Sequence, residues 1–137
     1  MKLDIRVPKI THSETAEARL EEVLERMSSE IEGLKALVVG DSSGLPVASL
    51  TRGPNTLATT AMATLALTSA MRVTSSLGLP EPDDILMEAG DWNVLVQALD
   101  GRFTISAVFP ASANLGFVKL CMRNRRPEIQ LLLEEIR

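Results

Sequence analysis

The stretch Thr56-Leu57-Ala58-Thr59-Thr60-Ala61-Met62-Ala63-Thr64-Leu65-Ala66-Leu67-Thr68-Ser69-Ala70-Met71-Arg72-Val73 decides how this chain is organised. From Pro54 to Leu79 the only charged residue is Arg72. Helical spacing gathers Met62, Ala66, Ala70, Val73 and Leu77 on one side. Leu57, Thr60, Thr64, Leu67, Thr68 and Met71 gather on the other. A helix on the surface of a globular protein keeps a charged face for water, and this one has none. One sheet covers one side of a helix, so a second protein surface is the simplest cover for the rest. Association is therefore the first functional expectation. The length approaches the roughly 20 residues that span a bilayer. However, six Thr, three Ser and Arg72 within residues 55–77 suit hydrocarbon poorly.

Outward from this helix the chain alternates turn signals with short apolar runs. Ahead of it, strands are expected over Ala36 to Gly40 and Pro46 to Leu50, joined by Asp41-Ser42-Ser43-Gly44. Behind it, Gly78, Pro80 and Pro82 close the helix. Ile85 to Ala89 then meets Trp92 to Ala98 across Gly90-Asp91. That strand meets Arg102 to Phe109 across Asp100-Gly101, which favours a two-residue type I′ turn. Phe103, Ile105, Ala107 and Phe109 share one face of the last strand, and Arg102, Thr104 and Ser106 the other.

Helices are expected at both ends. Thr11-His12-Ser13-Glu14 offers a capping box for the first. Ala16, Leu20, Val23, Leu24, Met27 and Ile31 form its buried stripe, and Gly33 its stop. The last carries Leu115, Val118, Met122, Ile129, Leu132, Leu133 and Ile136, with a kink or break expected near Arg126 because of Pro127. The order α-β-β-α-β-β-β-α gives an α/β (α+β) fold: a five-stranded antiparallel sheet, the middle helix on one face and the terminal helices on the other. Residues 1–10 form an N-terminal arm or short extra strand, and residues 11–137 a single domain.

Composition narrows the function classes. The net charge of −4 and 3% aromatic content disfavour nucleic-acid binding, which wants a basic surface and stacking platforms. Cys121 is the only cysteine, so neither an intrachain disulfide nor a multi-cysteine metal site is available. Asp4, Arg6 and Pro8 interrupt any apolar leader, and a cytoplasmic setting is expected.

Ala36-Leu37-Val38-Val39-Gly40-Asp41, followed by Ser43-Gly44-Leu45-Pro46-Val47-Ala48-Ser49, resembles the Roadblock/dynein light-chain domain family. So do the Ala/Thr/Met helix and Ser112-Ala113-Asn114-Leu115-Gly116-Phe117-Val118 at the start of the last helix. The resemblance covers roughly residues 14 to 137, and implies a profilin- or longin-like layout. It also implies a homodimer, or a heterodimer with a related domain, whose second strands pair edge to edge while the middle helices lie side by side. In this chain that interface would use Val47, Ala48, Ser49, Leu50, Thr60, Thr64, Leu67, Thr68 and Met71. The implied partner is a Ras-like small GTPase, which the dimer would scaffold or regulate, with stimulation of its GTP hydrolysis a further step that one bacterial family member takes without inserting an arginine finger. Motor-associated light-chain duty is an alternative within the same family.

The helix orientation expected here assigns Met62, Ala66, Val73 and Leu77 to the sheet, and Thr60, Thr64, Leu67 and Met71 to the twin or partner. Leu67, Met71 and Arg72, with Arg123 and Arg125 of the Arg123-Asn124-Arg125-Arg126 cluster, are the partner-binding candidates. No catalytic constellation converges, so no enzyme, cofactor or metal is expected. His12 is read as a cap neighbour, Asp41-Ser42-Ser43-Gly44 as a plain turn, Glu88 and Asp91 as a wet hairpin tip, and Cys121 as a core residue. A different class of function, a small sensory or ligand-binding domain, requires a cavity lined by Trp92, Phe103 and Ile105.

Overall fold

The computed structural model describes residues 15–51, 56–100 and 102–136. The N-terminal arm, the Thr11–Glu14 capping box, His12, Arg52-Gly53-Pro54 and Gly101 lie outside them. The chain runs α1 (Ala16–Glu30), β1 (Ala36–Asp41), β2 (Pro46–Thr51), α2 (Thr56–Ser76), β3 (Asp84–Ala89), β4 (Trp92–Ala98), β5 (Phe103–Pro110) and α3 (Leu115–Ile136). The strands form one sheet in the order β2-β1-β5-β4-β3, antiparallel at every step. The expected fold class and element order are therefore found.

Alternation builds the main core. Leu37 and Val39 of β1, Leu95 of β4, and Phe103, Ile105, Ala107 and Phe109 of β5 point to one side, where they meet α1 and α3. The α1 stripe Leu20, Val23, Leu24 and Met27 fills this layer together with Val118, Met122, Ile129, Leu132 and Leu133 of α3. The two helices run antiparallel and are tied across their exposed rims by Arg19–Glu135 at 2.6 Å, Arg26–Glu128 at 3.0 Å and Arg125–Glu30 at 2.6 Å.

Three local expectations are corrected. Thr15, in an extended conformation, is the N-cap of α1, its hydroxyl accepting from the Ala18 N–H at 3.0 Å. The β4–β5 connection holds three residues, because the Leu99 N–H closes it on the Phe103 carbonyl at 2.8 Å and the Asp100 carboxylate takes the Arg102 N–H. A two-residue turn would instead pair Leu99 with Arg102. Finally, α3 continues through Pro127, so the break allowed for there is not found. Pro127 is exposed, so water can take the carbonyl that its missing N–H leaves unbonded.

The other turns follow their sequence. Gly90, at φ 62°, supplies the positive angle at the first position of the two-residue β3–β4 turn. Pro46 opens β2, opposite Gly40 across a bulge, where it deprives the ladder of no interior donor. The Asp41 carboxylate accepts from the N–H groups of Ser43 and Leu45 at 2.9 and 3.0 Å, so the β1–β2 turn is self-satisfied.

Candidate functional site

Among the described residues helix α2 lies alone on the other face, and it touches all five strands. Its buried residues are Thr60, Ala63 and Leu67, and Met71 packs beside them against Val96, Ile85, Val94 and Ala98. Small residues let the helix approach closely. A Cβ on Gly40 would collide with Thr60 Cγ2, and one on Gly44 would lie 3.0 Å from the Ala61 Cα. The threonine hydroxyls need no outside partner: Thr60 donates to the Thr56 carbonyl at 2.7 Å, Thr64 to Thr60 at 3.0 Å and Thr68 to Thr64 at 2.9 Å.

The orientation of α2 is therefore the reverse of the one expected. Thr60 and Leu67, assigned to a dimer interface, are 2% and 4% exposed beneath their own helix. Met62, Val73 and Leu77, assigned to the sheet, are 64%, 56% and 66% exposed. They share the outer surface with Leu57 at 58% and Leu65 at 59%, while Ala66 is half-buried. The decisive property was side-chain size rather than polarity, since both stripes are uncharged. Arg72 is exposed on this helix and makes no ion pair among the described residues.

The remaining sequence candidates scatter. Val47, Ala48, Ser49 and Leu50 lie on β2, which is an edge strand. Thr64, Thr68 and Met71 border a cavity of about 90 Å³ between α2 and the β4–β5 end, together with Ser42, Arg102, Phe103 and Thr104. The Thr104 hydroxyl is buried with no hydrogen-bond partner among the described residues. Phe103 reaches this cavity, but Ile105 is packed in the opposite core and Trp92 lies under the Lys35 ammonium, 4.8 Å from the ring centre. The pocket required by a sensory domain is therefore not assembled, and about 90 Å³ falls far short of the roughly 300 Å³ of a small-molecule site.

The arginine cluster divides around α3. Arg125 pairs with Glu30 of α1, Arg126 donates to the Ala98 carbonyl at 2.9 Å, and Arg123 is exposed. Cys121 is buried, and burial first, then the Glu30 carboxylate, pushes its thiol up from the ordinary range, so it stays protonated at neutral pH. Among the described residues no three His, Cys, Asp or Glu gather as a metal site, and no helix is long and apolar enough to cross a membrane.

No protein-family model matches the chain, and no curated protein does. Solved structures match its fold. MglB of Myxococcus xanthus superposes with a TM-score of 0.78 at 15% identity, over 85% of this chain and 95% of that one. A structure described as MglB with tetrameric arrangement gives 0.80 at 18% identity, over 88% and 91%. A Roadblock/LC7 domain from Streptomyces avermitilis gives 0.70 at 10% identity, over 80% and 97%. The fold is the one these Roadblock-type structures share.

Proposed function

We propose that this chain is a dimeric interaction module that scaffolds or regulates a Ras-like small GTPase, with no catalytic machinery of its own. One observation carries the reading: Leu57, Met62, Leu65, Val73 and Leu77 stand exposed along a helix whose only charge is Arg72. Covering what remains exposed of five such side chains is worth on the order of 5–9 kcal/mol per chain, comparable to the order and freedom lost on association. An apolar strip of this kind is a recognised sign of a protein interface.

Self-association through this strip would place two α2 helices side by side, with β2, an edge strand among the described residues, facing its counterpart. Val47, Ser49 and Leu50 remain candidates for that edge, and pairing removes an aggregation hazard. Thr68, Met71 and Arg72 lie toward the flank of α2 and are candidates for contact with the GTPase. The Roadblock-like fold supports this class, and one fold neighbour is described as having a tetrameric arrangement.

Purified chain is to be mixed with candidate small GTPases loaded with GDP or a GTP analogue, and binding measured by calorimetry. Saturable binding that differs between the nucleotide states is expected, together with loss of binding on Arg72→Glu or Leu65→Glu. Equal indifference of every GTPase, with the wild-type dimer intact, would contradict the GTPase assignment. Addition of GTP and measurement of phosphate release separates activation of hydrolysis from scaffolding.

A further inference from the structure

On the face opposite α2, a trough lies between α3 and the β3 side of the sheet. Cys121, Arg125, Glu128 and Glu135 of α3 turn toward α1, as their contacts with Glu30, Arg26 and Arg19 require. Lys119, Arg123 and Arg126 follow at intervals of four and three residues and turn the other way. They wall this trough of about 580 Å³, whose opposite side carries Asp83, Asp84 and Gln97.

The charges in this trough do not balance. Lys119 is 3.5 Å from Asp84. Arg126 is half-buried, yet its acceptors are neutral: the Ala98 carbonyl at 2.9 Å and the Gln97 side-chain oxygen at 3.5 Å. Arg123 has no partner among the described residues, and neither does Asp83. Two guanidinium groups thus face one unpaired carboxylate in a protein whose net charge is −4. A half-buried cation held by neutral groups favours an incoming anion.

The trough also begins where the sheet offers a free edge. β3 pairs with β4 on one side and, among the described residues, ends the sheet on the other. Asp84 and Leu86 point to the α3 face, since Asp84 meets Lys119 and Leu86 packs on the main core. A strand added to β3 would place every second side chain on that same face.

We infer that this trough docks an extended acidic segment of a partner protein, its backbone adding to β3 and a carboxylate engaging Arg123 and Arg126. A carboxylate fits better than a phosphate, because Asp83 and Asp84 repel a doubly charged group more strongly, while a guanidinium fork donates two parallel bonds to either. An anionic bilayer fits worse still, since Glu81, Asp83 and Glu88 surround the β3 side of an acidic protein. The site lies across the sheet from α2 and stands apart from the GTPase proposal.

The test is a titration of the full isotope-labelled chain with a capped hexapeptide alternating Val and Asp, followed by amide NMR shifts. Shifts are expected along Asp84–Ala89 and at residues 119–126, with weakening at high salt. Replacing Asp by Asn in the peptide, or introducing Arg123→Glu in the protein, should weaken binding by about tenfold or more, the loss of one charge-assisted hydrogen bond. Arg123 is exposed, so the variant should melt where the wild type does. Lack of saturable binding, shifts confined to α2 or β2, or indifference to Arg123→Glu would each overturn the proposal. So would retention of phosphatidylserine vesicles through Arg123 with no binding of the peptide.

Discussion

Beneath α1 and α3 the sheet is covered by large side chains, whereas beneath α2 it is covered by small ones. Phe109, Leu20, Leu24, Met27, Met122 and Leu133 are fully buried on the first side, and the rim there is charged and cross-paired. On the second side the buried apolar cluster is Ala63, Leu67 and Val96, and the outer rim is apolar and bare. The first layer closes a large core and pairs its charged rim within one chain, although Phe117, Leu120 and Leu131 of α3 stay exposed. The second is thin inside and unfinished outside, as a surface intended for another protein should be.

The contrast can be broken by truncation on each side. Phe109→Ala is expected to cost about 3–5 kcal/mol, because the surrounding core cannot collapse onto the void. Leu67→Ala, beside an existing cavity and beneath a single helix, is expected near the low end of its class, about 2 kcal/mol. Urea denaturation at one fixed protein concentration compares them, since association itself adds apparent stability. Equal costs would contradict the thin-core description.

A smaller effect sharpens the close approach of α2. Gly40→Ala is expected to cost about 1–3 kcal/mol, because the stiff Thr60 side chain cannot swing away from the new methyl. Thr60→Ser removes that methyl and keeps the hydroxyl bond to Thr56, so the double variant should recover most of the loss. A double-mutant cycle without coupling would show that α2 does not rest on β1 at this point.

The smallest change should be a gain. The Thr104 hydroxyl is buried with no partner among the described residues, so Thr104→Val is expected to stabilise by about 1 kcal/mol, read as a rise in melting temperature. A fall instead would mean that the hydroxyl is bonded in solution.

The same contrast explains what was legible in the sequence. The strands were readable because Phe103, Ile105, Ala107 and Phe109 alternate cleanly with polar neighbours, and α1 because Leu20, Val23, Leu24 and Met27 oppose a charged surface. The uncharged character of α2 was readable for the same reason. Its orientation was not, because neither stripe carries charge to mark the solvent side. The usable signal lay in another element: Gly40 in the interior of β1 leaves room for one branched residue, and Thr60 occupies it. The cluster Arg123-Asn124-Arg125-Arg126 reads as one patch in sequence, but helical rotation of about 100° per residue sends its arginines to different neighbours. The three-residue β4–β5 loop was hidden because Asp100-Gly101 suits more than one turn, and the Asp100 carboxylate selects the longer one by taking the Arg102 N–H.

The central claim is that a second chain covers the outer side of α2, and light scattering coupled to gel filtration tests it most directly. At micromolar concentration the wild type should elute at twice the 14.8 kDa of a single chain. Leu65→Glu, which places a charge in the middle of the bare strip without touching the core, should elute at the single-chain mass with unchanged helical content. A wild type that remains at the single-chain mass throughout the micromolar range, or a Leu65→Glu variant that stays dimeric, would contradict the account.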